Sequence, residues 1–162
     1  MGKSTERLRE FFRANNLDIE IRELLGSTHT AQLAADAVGS QLGQIVKSLL
    51  FIADDGRAVL ALVAGDRRAD PEKIARAVGT SSARIANADE VRADTGYAIG
   101  GVAPFAHPNG KISAILMDES LARFSIVWAA AGAPNAVFPI AREKLLELTK
   151  AEVRDIVLSN ED

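Results

Sequence analysis

Two apolar stretches on either side of Asp54-Asp55-Gly56 constrain this chain more than any other feature of it. Residues 45–53, IVKSLLFIA, form a nearly continuous apolar run of strand length, and 58–63 resume the run after the turn. Short apolar runs flanking an acidic residue and a glycine predict a β-hairpin. Around the hairpin the pattern changes period. Residues 4–15 predict an amphipathic helix, with Leu8, Phe11 and Phe12 on one face and Arg7, Arg9, Glu10 and Arg13 on the other. DIEIREL, residues 18–24, alternates as a strand does. Thr28 or Thr30 is positioned to cap a helix running to Val38, with Gly39 to stop it.

Asp70-Pro71-Glu72 combines a capping aspartate, a proline in the first turn and an acid near the helix N-terminus, so a helix is predicted from there to Gly79. Asn87-Ala88-Asp89-Glu90 has the form of a capping box. Residues 111–117, 125–131 and 136–140 are expected as strands. Residues 141–149 and 151–158 are expected as helices, the second opening on the capping-box match Thr149-Lys150-Ala151-Glu152. A hairpin and further strands, interrupted by helices in no regular alternation, predict an α/β fold of the mixed α+β kind, one domain over residues 1–162.

No apolar run approaches the roughly 18 residues that a membrane span needs, and the charged opening MGKSTERLREFF lacks the apolar core of a signal peptide. Membrane partners are therefore not expected. The chain has no cysteine, which removes disulfides, thiolate metal sites and a cysteine nucleophile, and suits a cytoplasmic protein. The formal net charge is −3. Proteins that grip long stretches of DNA or RNA through phosphates carry a basic excess. DNA is thus not an expected partner, and any contact with RNA should be local.

The two histidines, His29 and His107, have no metal-ligand spacing, and neither a G-x-S-x-G elbow nor a Walker A loop is present. No cofactor or metal is expected. Two features remain. Lys47 interrupts an apolar strand run, where an ammonium either snorkels to solvent from the strand end or awaits an anion at a pocket wall. The loop Gly96 to Phe105, GYAIGGVAPF, holds the adjacent pair Gly100-Gly101, which allows either a plain tight turn or close approach of a ligand to main-chain N–H groups. His107 follows this loop. Asp118 has the position of a cap for the turn 118–121, and Arg67-Arg68 forms a small basic cluster.

Taken in order, THTAQLAADAVGSQLGQIVKSLLF, the loop IGGVAPFAH, Asp118-Glu119-Ser120-Leu121 and Ala131-Gly132 resemble the YbaK/prolyl-tRNA-synthetase editing-domain family from about Thr28 to Thr149. The resemblance implies a twisted, partly barrel-like mixed sheet flanked by helices. It also implies hydrolysis of the ester at the acceptor end of an aminoacyl-tRNA, typically a mischarged tRNA for proline. The ribose 2′-hydroxyl assists water in that family, so no protein nucleophile is called for. The acidic net charge implies a weak grip on the tRNA body, so prolyl-tRNA synthetase is an expected partner that presents the substrate. By motif, Lys47 would hold the terminal phosphate or ribose, while Gly100, Gly101 and Pro104 would shape the loop around the ester, together with Val102, Ala103 and Phe105. Thr30, Asp118 and Gly132 would line the pocket, with His107 nearby. Some relatives place a histidine or aspartate shortly after the glycine matching Gly132; here Ala133-Pro134-Asn135-Ala136-Val137-Phe138 follows, which implies a more apolar pocket for a small aliphatic or small polar residue. Two other readings share the fold: a non-catalytic module binding aminoacyl-tRNA or the synthetase, and a hydrolase of another small ester or amide.

Overall fold

A computed structural model describes residues 2–25 and 30–159; Thr28 and His29 lie outside them. The hairpin is the centre of the molecule. Strands β2 (Val46–Ala53) and β3 (Ala58–Ala64) pair antiparallel, turning at Gly56, whose φ is +92°. All seven residues of β3 are buried. The reason is its place in a five-stranded sheet ordered β4-β2-β3-β5-β8, where β4 is Ala83–Ile85, β5 Ile112–Asp118 and β8 Glu152–Arg154. Leu60 and Leu62 pack on the larger core with Leu8, Phe12, Phe138 and Leu145. Val59, Ala61 and Val63 pack on a second core with Ile74 and Ile156. A strand covered on both faces must be apolar throughout rather than alternating, which accounts for the run in the sequence.

Helices α1 (Lys3–Ala14) and α5 (Arg142–Thr149) supply the larger core from one side, and α3 (Pro71–Val78) covers the other. A second sheet, β1-β7-β6, is antiparallel throughout and comprises β1 (Arg22–Glu23), β7 (Ala136–Ala141) and β6 (Ile126–Ala130). The sheets meet at a parallel bridge between Ile45 and Trp128, and no closed barrel forms among the described residues. Helix α2 (Ala31–Val38) lies beside this junction, its Ala34 and Ala35 packed with Ile45, Trp128 and Val137. The mixed α/β class expected from the sequence is observed.

The caps at Thr30, Asp70 and Asn87 form as the sequence predicts, each side chain accepting a main-chain N–H of its helix; Asn87 opens α4 (Ala88–Thr95). Three expectations require correction. Only Arg22–Glu23 of the alternating 18–24 segment pairs with a strand, although Ile21 and Leu24 are buried. Residues 151–158 form no helix: Lys150 ends α5 in the left-handed region, and 152–154 pair parallel with Leu116–Asp118. The outer edge of β5 offers unmet hydrogen-bonding groups, and pairing there outweighs a local helical pattern. Strand β4, not expected from the sequence, covers the edge of β2 at Phe51–Ala53 only.

Candidate functional site

That incomplete cover opens the site. Ile45 O accepts from Gly65 N and Ala53 N donates to Arg57 O, so the odd-numbered residues of β2 exchange hydrogen bonds with β3. The even-numbered main-chain groups face the opposite edge, where Leu50 O accepts from Ala86 N. Beyond Leu50 no strand among the described residues pairs with that edge until the bridge at Ile45. A cleft of about 260 Å³ occupies the gap, with Lys47 and Ser48 on its β2 wall. Thr30, Ala31 and Ala34 of the α2 end form a second wall, and Trp128 and Ala129 of β6 a third. Ile99, Gly100, Val102 and Pro134 border it from the two loops.

The loop is fastened from behind. Phe105 is buried and stacks on Phe11 with ring centroids 4.7 Å apart. The buried Tyr97 donates its hydroxyl to Ala106 O at 2.8 Å, and the Arg7 guanidinium lies 5.2 Å from its ring centre. Burial pushes the Tyr97 phenol up, with the bond to Arg7 pulling the other way. His107 places Nε2 2.8 Å from Ala103 O, so Nε2–H donates to that carbonyl. Burial pushes the imidazole below its usual value, partly offset by this bond.

Gly100 has φ +88° and only Pro134 near the place of a Cβ, at 3.8 Å. Gly101 differs: a Cβ there would stand 2.9 Å from the main chain of Ala133. The first glycine supplies a conformation and the second a close approach between two loops. Gly132, against the backbone of Ser4, turns the chain toward Pro134 rather than lining the cleft.

Lys47 is partly buried and donates from Nζ to Arg67 O at 2.6 Å. Burial holds its pKa below the ordinary lysine value, and the Arg68 charge lowers it further while Asp66 acts oppositely. Asp66 is already engaged: Arg123 grips both its oxygens at 2.8 Å and Arg67 Nη1 lies 3.1 Å away. The bond from Arg123 is the main reason its carboxyl stays below the usual range.

The structure therefore brings Thr30, Lys47, Gly100 and Val102 together around one cleft. Ala103, Pro104 and Phe105 are buried and lie outside the cleft lining, Phe105 stacked on Phe11 and Ala103 bonded by His107. Asp118 is elsewhere, 1% exposed, its carboxylate accepting Ser120 N, the Ser120 hydroxyl and Ile156 N at the β5–β8 junction. Ser48, Ile99, Trp128 and Pro134 were not singled out as site residues by the sequence reading. Ser48 adjoins Lys47 and Trp128 is the single tryptophan, but neither fact locates a cleft wall. Ser48 Oγ is enclosed and has no hydrogen-bond partner among the described residues. Among the described residues no three histidines or carboxylates gather as a metal-binding group.

The sequence profile of the aminoacyl-tRNA editing domain matches residues 26–148. The uncharacterised protein YwhH of Bacillus subtilis is 31% identical over 93% of this chain and 94% of its own length. EbsC of Enterococcus faecalis, described as a candidate Cys-tRNA(Pro)/Cys-tRNA(Cys) deacylase, is 26% identical over 78% of this chain and 76% of its own. Proline–tRNA ligase of Maridesulfovibrio salexigens is 36% identical over 57% of the chain, which spans 15% of that enzyme. A crystal structure described as a candidate trans-editing enzyme for prolyl-tRNA synthetase superposes with TM-score 0.90 at 41% identity, covering 98% of this chain and 99% of that one. With its fold and nearly its whole length accounted for in this way, the chain belongs to the aminoacyl-tRNA editing domain family, the YbaK-type deacylases.

Proposed function

We propose that the protein is a trans-acting editing hydrolase that removes a small non-cognate amino acid from tRNA for proline. The observation that carries this reading is the cleft itself: apolar, about 260 Å³, with the partly buried cation of Lys47 on its wall and a glycine loop at its rim. Among the described residues its lining contains no carboxylate, cysteine or histidine. Alanines at 31, 34, 129 and 130 leave room for a small acyl side chain. The α-ammonium of such an ester would meet main-chain oxygens at the uncovered edge of β2, since the described lining holds no side-chain anion.

With no carboxylate or imidazole among the described lining residues, water is oriented by the 2′-hydroxyl beside the scissile 3′-ester, held by main-chain groups of the Gly100 loop. Lys47 contacts the ribose or its phosphate. The relationship to part of proline–tRNA ligases supports prolyl-tRNA synthetase as the partner that presents the substrate, in the cytoplasm. The test is turnover on tRNA for proline charged with alanine, cysteine, serine or proline. Cleavage of one or more of the small esters with prolyl-tRNA spared is expected. Binding of all four without cleavage would instead identify a non-catalytic module, and equal cleavage of unrelated small esters a general esterase.

A further inference from the structure

We propose that the hollow bounded by Lys47, Arg67 and Arg68 binds the phosphodiester backbone of the RNA 3′ end, beside the cleft that takes its terminal aminoacyl-adenosine. The inference rests on the editing reading for the identity of its ligand. Lys47 lines both the cleft and this second hollow, which measures about 460 Å³ and is bordered also by Leu42, Gly65 and Asp66. A chain that places its aminoacylated end in the cleft and passes Lys47 therefore enters the hollow.

The charge balance there is unusual for this molecule. The whole protein carries −3, yet among the described residues Lys47, Arg67, Arg68 and Arg123 converge here around one carboxylate, that of Asp66. Arg123 occupies that carboxylate with two bonds, and Arg67 adds a third. Nearby Lys73 is likewise satisfied, by Asp155 at 2.8 Å and Val157 O at 2.7 Å. Arg68 is different: it is exposed, and its guanidinium has no acceptor among the described residues. Its main chain is fixed, because Arg68 O accepts from Leu158 N at 2.8 Å and Ala69 bridges Val157. An anchored backbone presenting an unsatisfied guanidinium beside a partly buried ammonium is suited to an anion with several acceptor oxygens. A phosphodiester has this character, and an arginine can engage two of its oxygens at once. Repulsion between Lys47 and Arg68, which an intervening phosphate would relieve, is already felt in the free protein.

The test compares the wild-type protein with Arg68→Gln and Arg68→Glu, using a fluorescently labelled CCA trinucleotide in anisotropy titrations. Loss of a charge-assisted contact should weaken binding roughly tenfold in the glutamine variant and more in the glutamate one. The plot of log affinity against log salt should become shallower by about 0.7, the contribution of one neutralised phosphate in single-stranded RNA. In hydrolysis, KM for aminoacyl-CCA should rise by roughly tenfold more than KM for aminoacyl-adenosine, which has no phosphodiester. Unchanged CCA affinity and salt slope in both variants would overturn the phosphate site, as would an equal loss on both esters. Absence of any hydrolysis by the wild type would count against the editing reading instead, and the anisotropy titrations would still decide the phosphate site.

Discussion

The ammonium of Lys47 donates to the main-chain oxygen of Arg67 and to no carboxylate side chain. The carboxylate whose charge acts on it, Asp66, is taken by Arg123 and Arg67. Lysine 47 is thus held in place by a neutral group while its charge remains available.

Replacement of Lys47 by methionine should give a folded protein, because no buried anion is stranded by the change. Activity should fall by about 10- to 150-fold, the range for a lost hydrogen bond to a charged group. The sign of the pH effect on stability also follows. A lysine whose pKa is lowered in the folded state penalises folding below that folded value, and the penalty is relieved as pH rises toward 10.5, the ordinary value. Any advantage in melting temperature that the methionine variant holds near neutrality should therefore shrink as pH rises toward 10.5. A gap that widens over this range contradicts the assignment.

Gly100 and Gly101 should respond differently to alanine, although the sequence presents them as one motif. At Gly101 the added Cβ meets the backbone of Ala133, which cannot swing aside as a side chain can, so about 1–3 kcal/mol of stability should be lost. At Gly100 the space is open and the penalty is that of a positive φ, about 1–2 kcal/mol, while the altered loop borders the cleft directly. Urea denaturation and single-turnover rates separate the two. Gly100→Ala should lose more rate per unit of stability than Gly101→Ala, and the reverse order would remove the loop from the site.

Asp118→Ala should cost about 2–4 kcal/mol, the sum of a lost cap and a stranded Ile156 N–H, with little change in kcat for the fraction that remains folded. This places Asp118 among the residues that hold β5 and the 154–157 segment together. A stable variant with abolished turnover would return it to the substrate.

His107 predicts an acid-side effect. Its folded pKa lies below 6.5, so the unfolded chain takes up the proton first, and stability falls as pH drops through 6.5 toward the folded value. His107→Gln keeps a donor toward Ala103 O but cannot titrate. Its melting temperature should decline less than that of the wild type between pH 7 and 5. Parallel curves would show that the imidazole does not remain neutral in the fold.

A mischarged tRNA ending in 2′-deoxyadenosine should bind but react slowly, by the 10²–10⁴-fold typical of one positioned acid–base group. Single-turnover measurements at saturating enzyme isolate the chemical step. Equal rates for the two tRNAs would sink the 2′-hydroxyl mechanism and direct attention to Thr30 and Ser48, the hydroxyl side chains at the cleft.

By itself the sequence determined the elements whose causes are local. The run through β2 and β3, the caps at Thr30, Asp70 and Asn87, and the stops at Gly39 and Gly79 depend on near neighbours, and each could be placed from the residues. It also singled out Lys47, since an ammonium in an apolar strand needs a reason wherever that strand packs. Tertiary structure decided what depends on distant partners. Glu152–Arg154 became a strand because the edge of β5 was open to it, against a local helical pattern. Asp118 was drawn from the cleft because its carboxylate met Ile156 N, 38 residues away in sequence. The cleft exists because β4 pairs only with Phe51–Ala53 and β6 bridges only Ile45, just before β2, through Trp128, leaving the main chain near Ser48 uncovered among the described residues. Where a strand edge goes unpaired is settled by strands far off in the chain, and no pattern within the strand encodes it.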